Sequence, residues 1–220
     1  EVTREGSLVQ SKSDFITVAA HQLRTPATAV NWTFENLEKE DDLPPIAREA
    51  VTTGHAAARN LLDVITHLLD AAQIEDGRFG YSFESVDLTA FLDTILGQSM
   101  PIAKQYGVNI YFDRPAETVM VSADPTKLGM AIANLVDNGI KYNSEGGNVT
   151  VSLKAVAANA EIEIRDTGAG IAEADMSKLF QKFYRGEGTM KKVTGGSGLG
   201  LYLAKNIIEG HKGTIRVESM

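Results

Sequence analysis

The amino-acid sequence predicts a helical hairpin followed by a two-layer α+β sandwich, on the evidence of two contrasting patterns. Apolar residues in the first third repeat at alternating spacings of four and three, whereas from Tyr81 onward β-rich segments alternate with helical ones. The 220 residues are 43% hydrophobic and 23% charged, as in a folded protein, and the lack of Cys excludes disulfides and thiolate metal sites. A net charge of -8 argues against a nucleic-acid partner, because phosphates require a concentrated basic surface.

Two long helices are predicted before residue 77, which we take as the first domain, residues 1–76. Their apolar seams are Ile16, Ala20, Leu23, Ala27, Val30, Phe34 and Leu37, then Gly54, Ala58, Leu61, Ile65, Leu68 and Ala72. Pro44 and Pro45 break the helix between them. One hairpin buries such seams poorly, so we expect two copies to form a four-helix bundle. Residues 1–14 are predicted to be a linker helix that continues from an upstream part of the protein.

The second domain, residues 77–220, is predicted to be a mixed sheet covered by helices on one face. The expected strands are Val108 to Phe112, Val119 to Ser122, Val149 to Lys154, Glu161 to Arg165 and Thr214 to Glu218. The expected helices run from Leu88 to Gln105, from Pro125 to Tyr142 and from Gly198 to Glu209. Asp87 and Asp124 precede the first two of these helices and are predicted N-caps.

Three clusters in this domain indicate a nucleotide site. Asp166 follows a predicted strand and precedes two glycines, so its carboxylate suits an exocyclic amine of a base. The glycine-rich run 195–200 opens a helix, where exposed amides bind phosphate, although such a run often only makes a turn. Asn134, Asn138 and Lys141 share one helix face, which offers amide oxygens for Mg²⁺ and an ammonium for phosphate. A solvated polar stripe is the alternative for that face.

The order and content of these clusters resemble the GHKL ATP-binding superfamily, and specifically its sensor histidine kinases. Four segments of the second domain carry this resemblance. Residues Asn134 to Tyr142 are similar to the family's N box, and residues Asp166 to Ile171 are similar to its first glycine box. Residues Leu179 to Gly186 are similar to the F box, and residues Gly196 to Leu201 are similar to the second glycine box. Residues His21 to Pro26 are similar to the family's H box, which lies upstream of the other four boxes in that family as it does here.

This resemblance implies that ATP and Mg²⁺ bind the second domain, which would have the two-layer GHKL ATPase fold. Asp166 would bind adenine, Asn138 would bind Mg²⁺, Asn134 and Lys141 would contact the phosphates, and Tyr142 would pack near the base. The other residues implied in binding are Gly168, Gly170, Ile171, Phe180, Tyr184, Arg185, Gly196, Ser197, Gly198, Leu199 and Gly200. Residues 184–196 would be the ATP lid.

The H box implies that His21 accepts the γ-phosphoryl group. Related ATPases hydrolyse ATP with a Glu where this chain has Asn134, and an amide cannot act as that base. Gln22 replaces the acidic residue that usually follows the His, so we expect slowed but retained autophosphorylation. Thr25 lies one turn beyond His21 and would orient a water that dephosphorylates the partner; alternatively, its hydroxyl bonds back to the His21 carbonyl.

The resemblance therefore predicts a histidine kinase that autophosphorylates on His21 and passes the group to an Asp of a response regulator receiver domain, with phosphatase activity as well. The alternatives are a kinase-weak, nucleotide-gated dimer that acts mainly as a response-regulator-binding phosphatase, and a Ser/Thr kinase of the same superfamily. We expect a homodimer and the cytoplasmic portion of a bacterial-type sensor kinase, whose full-length form is compatible with a membrane anchor. Residues 1–4 are similar to the end of a PAS sensor domain.

Overall fold

The computed structural model describes residues 2–157, 159–186 and 196–219, and for residues 2–15 and 17 it describes the backbone alone. The described residues divide into two compact units. The first runs up to Gly80 and includes the short segment that ends at Leu199, and the second contains the remaining residues from Tyr81 onward. No helix in the described part of the chain is both long enough and apolar enough to cross a membrane.

The first unit is a helical hairpin. Helix α1 spans Val2–Glu38 and α2 spans Pro45–Glu75. Pro44 and Pro45 separate them as predicted, with Pro45 at the start of α2, where its missing amide costs no helical bond. Arg48 holds the connecting turn by donating from Nη2 to the carbonyls of Glu40 and Asp41, at 3.2 and 3.1 Å.

One buried apolar cluster of the hairpin joins Ala20, Ala27, Ile65 and Leu69, with Leu62 packed against it. Among the side chains that the structure describes, α2 also buries Val51 and Ala58. The heptad seam predicted on α1 is therefore split: Ala20 and Ala27 are buried, whereas Leu23, Val30 and Leu37 are exposed. The alternating spacing of four and three covers two adjacent helix faces, and a single neighbouring helix buries only one of them.

The second unit contains five strands and four helices among its described residues. They are β1 (Glu84–Asp87), α3 (Leu88–Tyr106), β2 (Asn109–Asp113), β3 (Met120–Ala123), α4 (Pro125–Lys141), β4 (Asn148–Val156), β5 (Asn159–Asp166), α5 (Glu173–Met176) and α6 (Gly200–Gly210). The predicted N-caps are confirmed: the Asp87 side chain accepts from the amides of Thr89 and Ala90, and that of Asp124 accepts from Lys127.

The strands form a three-stranded mixed sheet and a separate two-stranded sheet. In the larger sheet β2 pairs with β4 in parallel and β4 pairs with β5 antiparallel, so that Val149 lies opposite Asp166. In the smaller sheet β1 pairs with β3 antiparallel. Helices α3 and α4 pack against these strands around a buried core that includes Leu92, Val136 and Ile140. Strand β1 was not predicted.

The strand predicted from Thr214 to Glu218 is wrong, because the structure assigns no strand there. Its residues still alternate between exposed and half-buried, and Arg216 lies 3.8 Å from Glu161 of β5. Alternation predicts which side chains share a face, whereas a strand also requires backbone pairing in register with a neighbour.

Candidate active site

The predicted phosphoacceptor lies on an open face of α1. His21, Gln22 and Thr25 are all exposed, and the helix continues through Pro26. Pro26 has no amide to donate to the carbonyl four residues earlier, so the turn that carries His21 lacks one helical hydrogen bond. The exposed imidazole of His21 is accessible to a reactant without unfolding of the hairpin.

The polar residues around His21 differ in how they are held. Arg24 donates from Nη2 to Thr66 Oγ1 of α2 at 3.4 Å, so it spans the two helices. Twelve residues beyond His21 on the same helix, Thr33 makes the bond that a helical Thr can make, since its hydroxyl donates to the carbonyl of Ala29 at 2.9 Å. Among the residues that the structure describes, no corresponding bond joins the Thr25 hydroxyl to the His21 carbonyl. The alternative role for Thr25, in which its hydroxyl bonds back to its own helix, therefore has no supporting contact among the described residues.

Helix α4 carries the first half of the candidate nucleotide site. Asn134, Asn138 and Lys141 are half-buried on one face, as their spacing predicts. Lys141 Nζ lies 3.4 Å from Asp137 Oδ2, one turn earlier. Helix α6 begins beside this face: a Cβ added to Gly200 would lie 3.1 Å from Asn134 Oδ1. Glycine therefore allows the first turn of α6 to approach the carboxamide closely.

The end of β5 carries the second half of the candidate nucleotide site. Asp166 is exposed, and its Oδ1 accepts from the amide of Gly168 at 2.8 Å, which holds the carboxylate at the strand end. A Cβ on Gly168 would lie 2.7 Å from the carbonyl oxygen of Tyr142, the residue that ends α4. A Cβ on Gly139 would lie 3.5 Å from Asp166 Cβ. Gly168 is thus required for the end of α4 and the Asp166 turn to lie this close, whereas a Cβ on Gly139 would make only ordinary van der Waals contact with Asp166 Cβ.

The remaining predicted binding residues occupy the segments on either side of residues 187–195. Gly170 has a φ of 70°, and the Ile171 amide donates to Ser219 Oγ at 2.8 Å. Tyr184 donates its hydroxyl to Asp175 Oδ1 at 2.6 Å, and Lys205 Nζ of α6 lies 5.7 Å from the centre of the Phe180 ring. Arg185 is half-buried. The F-box side chains are therefore held against α5 and α6.

The second glycine box is divided between the two units. Gly196, Ser197, Gly198 and Leu199 group with the hairpin unit, whereas Gly200 begins α6 of the second unit. The Leu199 amide donates to Ser197 Oγ at 3.2 Å, and Gly198 has a φ of 69°, which favours glycine. Most of the predicted ATP lid, including Lys191 and Lys192, lies outside the described residues.

Two open grooves on the second unit contain none of the predicted nucleotide-binding residues. One has a volume of about 740 Å³ and is lined by residues of α3 and β2 such as Met100 and Tyr111. The other, of about 390 Å³, lies between α3 and α4 beside Phe91 and Met130. The candidate nucleotide site is instead a surface of polar groups at the end of β5 and along α4.

The donor set fits a magnesium ion only as part of a nucleotide complex. No group of three or more His, Cys, Asp or Glu side chains that could hold a metal occurs among the residues the structure describes. Asn134 and Asn138 offer neutral amide oxygens, which Mg²⁺ accepts when phosphate oxygens and water complete its six ligands. Asn138 is therefore suited to a nucleotide-bound ion rather than to a permanent metal site.

Comparison with known proteins identifies the family of each part of the chain. The family model for histidine kinase-, DNA gyrase B- and HSP90-like ATPases matches residues 123–220, and the model for the His Kinase A (phospho-acceptor) domain matches residues 11–77. The sensor-like histidine kinase SenX3 of Mycobacterium tuberculosis is 31% identical over 209 residues, which cover 95% of this chain and 51% of the relative. The chain thus spans about half the length of this curated relative.

Solved structures show the same fold. Full-length ShkA in complex with AMPPNP superimposes with a TM-score of 0.70 at 23% identity, covering 89% of this chain and 40% of that one. The mycobacterial sensor histidine kinase MprB superimposes with a TM-score of 0.54 at 30% identity, covering 62% of this chain and 85% of that one. With a phosphoacceptor hairpin followed by an ATPase-type α+β unit, the chain belongs to the sensor histidine kinases of two-component systems.

Proposed function

We propose that this chain transfers the γ-phosphoryl group of ATP to His21 and then to an Asp of a response regulator. The observation that carries the proposal is the pairing of two half-sites in the second unit. The amide and ammonium groups of α4 suit a triphosphate, and the fixed carboxylate of Asp166 suits the adenine amine. The AMPPNP in the ShkA complex supports a nucleotide at this fold.

In this proposal α4 binds the phosphates and the strand end binds the base. Asn138 holds the nucleotide-bound Mg²⁺, and Asn134 and Lys141 contact phosphate oxygens. The ion would neutralise charge on the transferring group, as in other phosphoryl transfers. Asp166 accepts from the exocyclic amine of adenine, with Tyr142 beside the base. Gly168, Gly170, Ile171, Phe180, Tyr184, Arg185 and the second glycine box line the same nucleotide.

The chemical step uses a ring nitrogen of His21 as the nucleophile. A neutral imidazole carries one nitrogen with a free lone pair, which forms a bond to the γ-phosphorus as the bond to the bridging oxygen breaks and ADP leaves. The phosphorylated ring must then lose the proton on its other nitrogen. Because the step depends mainly on alignment, the exposure of His21 matters more than the presence of a strong base.

Gln22 affects the proton that the ring loses. Its side-chain oxygen can accept a hydrogen bond from the ring and orient it, but an amide cannot take the proton as a carboxylate does. We therefore expect Gln22→Glu to raise the autophosphorylation rate several-fold, measured under single-turnover conditions. Equal rates in the two proteins would contradict any role for this position.

The test of the main proposal is incubation with γ-labelled ATP and Mg²⁺. We expect label that is stable in base and lost in acid, because it is bonded to nitrogen, and we expect His21→Ala to abolish it. His55→Gln, on the second helix of the hairpin, is the control because glutamine can keep a hydrogen bond to Glu38, and this variant should keep the label. Acid-stable label would favour the Ser/Thr kinase alternative, and label that survives in His21→Ala would contradict the proposal.

A second candidate function is dephosphorylation of the regulator by a dimer with weak kinase activity. Two features favour it: Gln22 cannot take up the ring proton as a carboxylate would, and among the described residues no hydrogen bond ties the exposed Thr25 hydroxyl to its own helix turn. In this function Thr25 orients a water toward the phospho-aspartate of the receiver domain. Thr25→Ala should slow loss of label from a phosphorylated receiver while leaving His21 labelling intact.

The proposed partners follow from the same chemistry. A second copy of the chain would cover the exposed apolar stripe of α1, which consists of Leu23, Val30 and Leu37. A receiver domain would dock on the hairpin near His21 and so bring its Asp to the phosphorylated ring. We further propose an upstream sensor domain joined to α1, with this chain as the cytoplasmic portion of the kinase.

A further inference from the structure

We propose that Asn143 is a positioning residue for the base of the bound nucleotide, because its side chain ties the end of α4 to the turn that carries Asp166. This inference rests on the proposed binding of adenine by Asp166. Asn143 follows the last residues of α4 and is half-buried. It was not among the predicted site residues.

The Asn143 carboxamide bonds to two separate segments. Its Nδ2 donates to the carbonyl of Asn148, at the start of β4, at 3.0 Å. Its Oδ1 accepts from Thr167 Oγ1 at 3.2 Å, and also from the amide of Ser144 at 3.0 Å. Both ends of the amide are therefore used, and a side chain without a donor and an acceptor could not make the same set of contacts.

Thr167 completes the connection to Asp166. Its hydroxyl accepts from the Asn148 amide at 2.9 Å, and its own amide donates to the Asn148 carbonyl at 3.1 Å. These bonds continue the pairing of β4 with β5 one residue beyond Asp166, where β5 ends. Thr167 lies directly after Asp166, so the position of its hydroxyl constrains the carboxylate that precedes it.

The backbone around Asn143 is shaped to admit its side chain. A Cβ on Gly147 would collide with Asn143 Oδ1, so only glycine leaves room for the carboxamide at this point. On the other side, the Tyr142 carbonyl lies against Gly168, whose amide holds Asp166. The end of α4 thus contacts the Asp166 turn through two adjacent residues, one by packing and one by hydrogen bonds.

This arrangement links the two halves of the candidate site. Helix α4 carries the groups for the triphosphate, and the end of β5 carries the acceptor for the base. A nucleotide has a limited reach between its base and its phosphates, so both halves bind it well only when the distance between them stays within that reach. Asn143 connects them by side-chain hydrogen bonds, and its loss should weaken recognition of the base more than binding of the phosphates.

The test compares binding of ATP and of inosine triphosphate to the full 220-residue chain by calorimetry. Inosine has a carbonyl where adenine has its amine, so it cannot donate to Asp166 from that position, and its affinity reports mainly the phosphate contacts. We expect Asn143→Ala to weaken ATP binding about tenfold and inosine triphosphate binding less than about twofold. We expect no further loss of ATP binding when Asn143→Ala is added to Asp166→Ala, because the two residues act through the same contact.

Two further variants keep the outcome clear. Asn109→Ala is the matched control, because Asn109 also bonds to Asn148, by Nδ2 to Oδ1 at 3.2 Å, but does not bond to Thr167; it should leave both affinities unchanged. Thr167→Val removes the hydroxyl at nearly constant volume and should lower the preference for ATP as Asn143→Ala does. This second variant, with the melting temperature of each protein, covers the case in which Asn143→Ala folds poorly.

The outcomes separate this inference from the proposed function. If Asp166→Ala lowers the ATP preference while Asn143→Ala and Thr167→Val do not, the positioning role is wrong and the adenine site stands. Equal weakening of both nucleotides by Asn143→Ala would also overturn the positioning role. If Asp166→Ala leaves the preference unchanged, the assignment of Asp166 fails, and the inference fails with it.

Discussion

In the second unit Leu92, Val136 and Ile140 are fully buried, whereas on helix α1 of the hairpin Leu23, Val30 and Leu37 keep 54, 47 and 37% of their surface exposed. The second unit surrounds its apolar residues with its own helices and strands. The hairpin has two helices, and each leaves part of its apolar surface uncovered.

The spacing of the exposed residues shows what would cover them. Leu23, Val30 and Leu37 are seven residues apart and form one straight stripe along α1, next to the stripe that faces α2. Scattered apolar residues are normal on protein surfaces, but a continuous heptad stripe is typical of a helix interface. We infer that the second unit is stable by itself and that the hairpin depends on a second copy.

The largest expected effect is therefore on association through the stripe. Val30→Glu places a carboxylate in the middle of the proposed interface in both copies. At about 1.5 kcal/mol of lost burial for each Val30, the dimer should dissociate about 100-fold more readily. Sedimentation equilibrium over a range of protein concentrations measures this shift.

Trp32→Glu is the matched control for that experiment. Trp32 is 65% exposed and lies on the same helix, but it is two residues from Val30 and therefore on another face. The same kind of change there should leave the dissociation constant within about twofold. Equal weakening by both variants would show that charge on α1, rather than the stripe, controls association.

A second comparison uses glycines within helices of the two units. A Cβ on Gly54 of α2 would collide with the ring of Phe34, whereas nothing lies within 4 Å of a Cβ on Gly97 of α3. Gly54→Ala should destabilise the hairpin by about 1 to 2 kcal/mol, the cost of moving the ring less the gain in helix propensity. Gly97→Ala should stabilise the second unit by about 0.5 to 1 kcal/mol.

Urea unfolding of the whole chain, followed by signals from each unit, measures both changes. The Gly97 variant is the control, since it makes the same substitution in a helix with free space beside it. A gain of stability in Gly54→Ala would mean that the Phe34 ring moves aside freely, and the close approach of the two hairpin helices would then not need glycine.

The helices and caps could be predicted because their signals are local. Pro45 and Asp124 mark helix starts through their own chemistry, and the 3.6-residue period places Asn134, Asn138 and Lys141 on one face. Strand β1 was missed because its four residues include only one buried side chain, Val86, which gives no alternation to detect. The segment 214–218 was wrongly predicted because alternation does not reveal a pairing partner.

In the candidate site, too, local signals could be found from the sequence but contacts between distant residues could not. Asp166 and the glycines beside it follow a predicted strand and could be found from the sequence. The contact of Asn143 with Thr167 joins residues 24 positions apart, and no spacing rule connects them. For the heptad seam of α1, the sequence identifies the apolar residues. The spacing does not show which of the two adjacent helix faces packs against α2 and which would pack against a second copy of the chain.

The smallest expected effect concerns the pH dependence of the second unit. Asp124 is almost fully buried at the start of α4. Burial by itself would raise the pKa of Asp124, but hydrogen bonds from the amides of Ser82 and Lys127, at 2.8 and 2.9 Å, outweigh it and hold the pKa below its ordinary value of 3.8. A lowered pKa means that the folded state favours the charged carboxylate.

The stabilisation from Asp124 is thus fully present above pH 3.8 and is lost as the pH falls through the lower pKa of the folded state. Asp124→Asn keeps an N-cap but removes the charge, so it should cost about 1 kcal/mol at neutral pH and less as the pH falls toward 2. Urea unfolding at a series of acid pH values measures the difference between the two proteins, and Asp87→Asn is the matched change at the N-cap of α3. Parallel pH curves for wild type and Asp124→Asn would show that the amides of Ser82 and Lys127 bind the charged and neutral side chains equally. The buried cap would then stabilise α4 through hydrogen bonds alone.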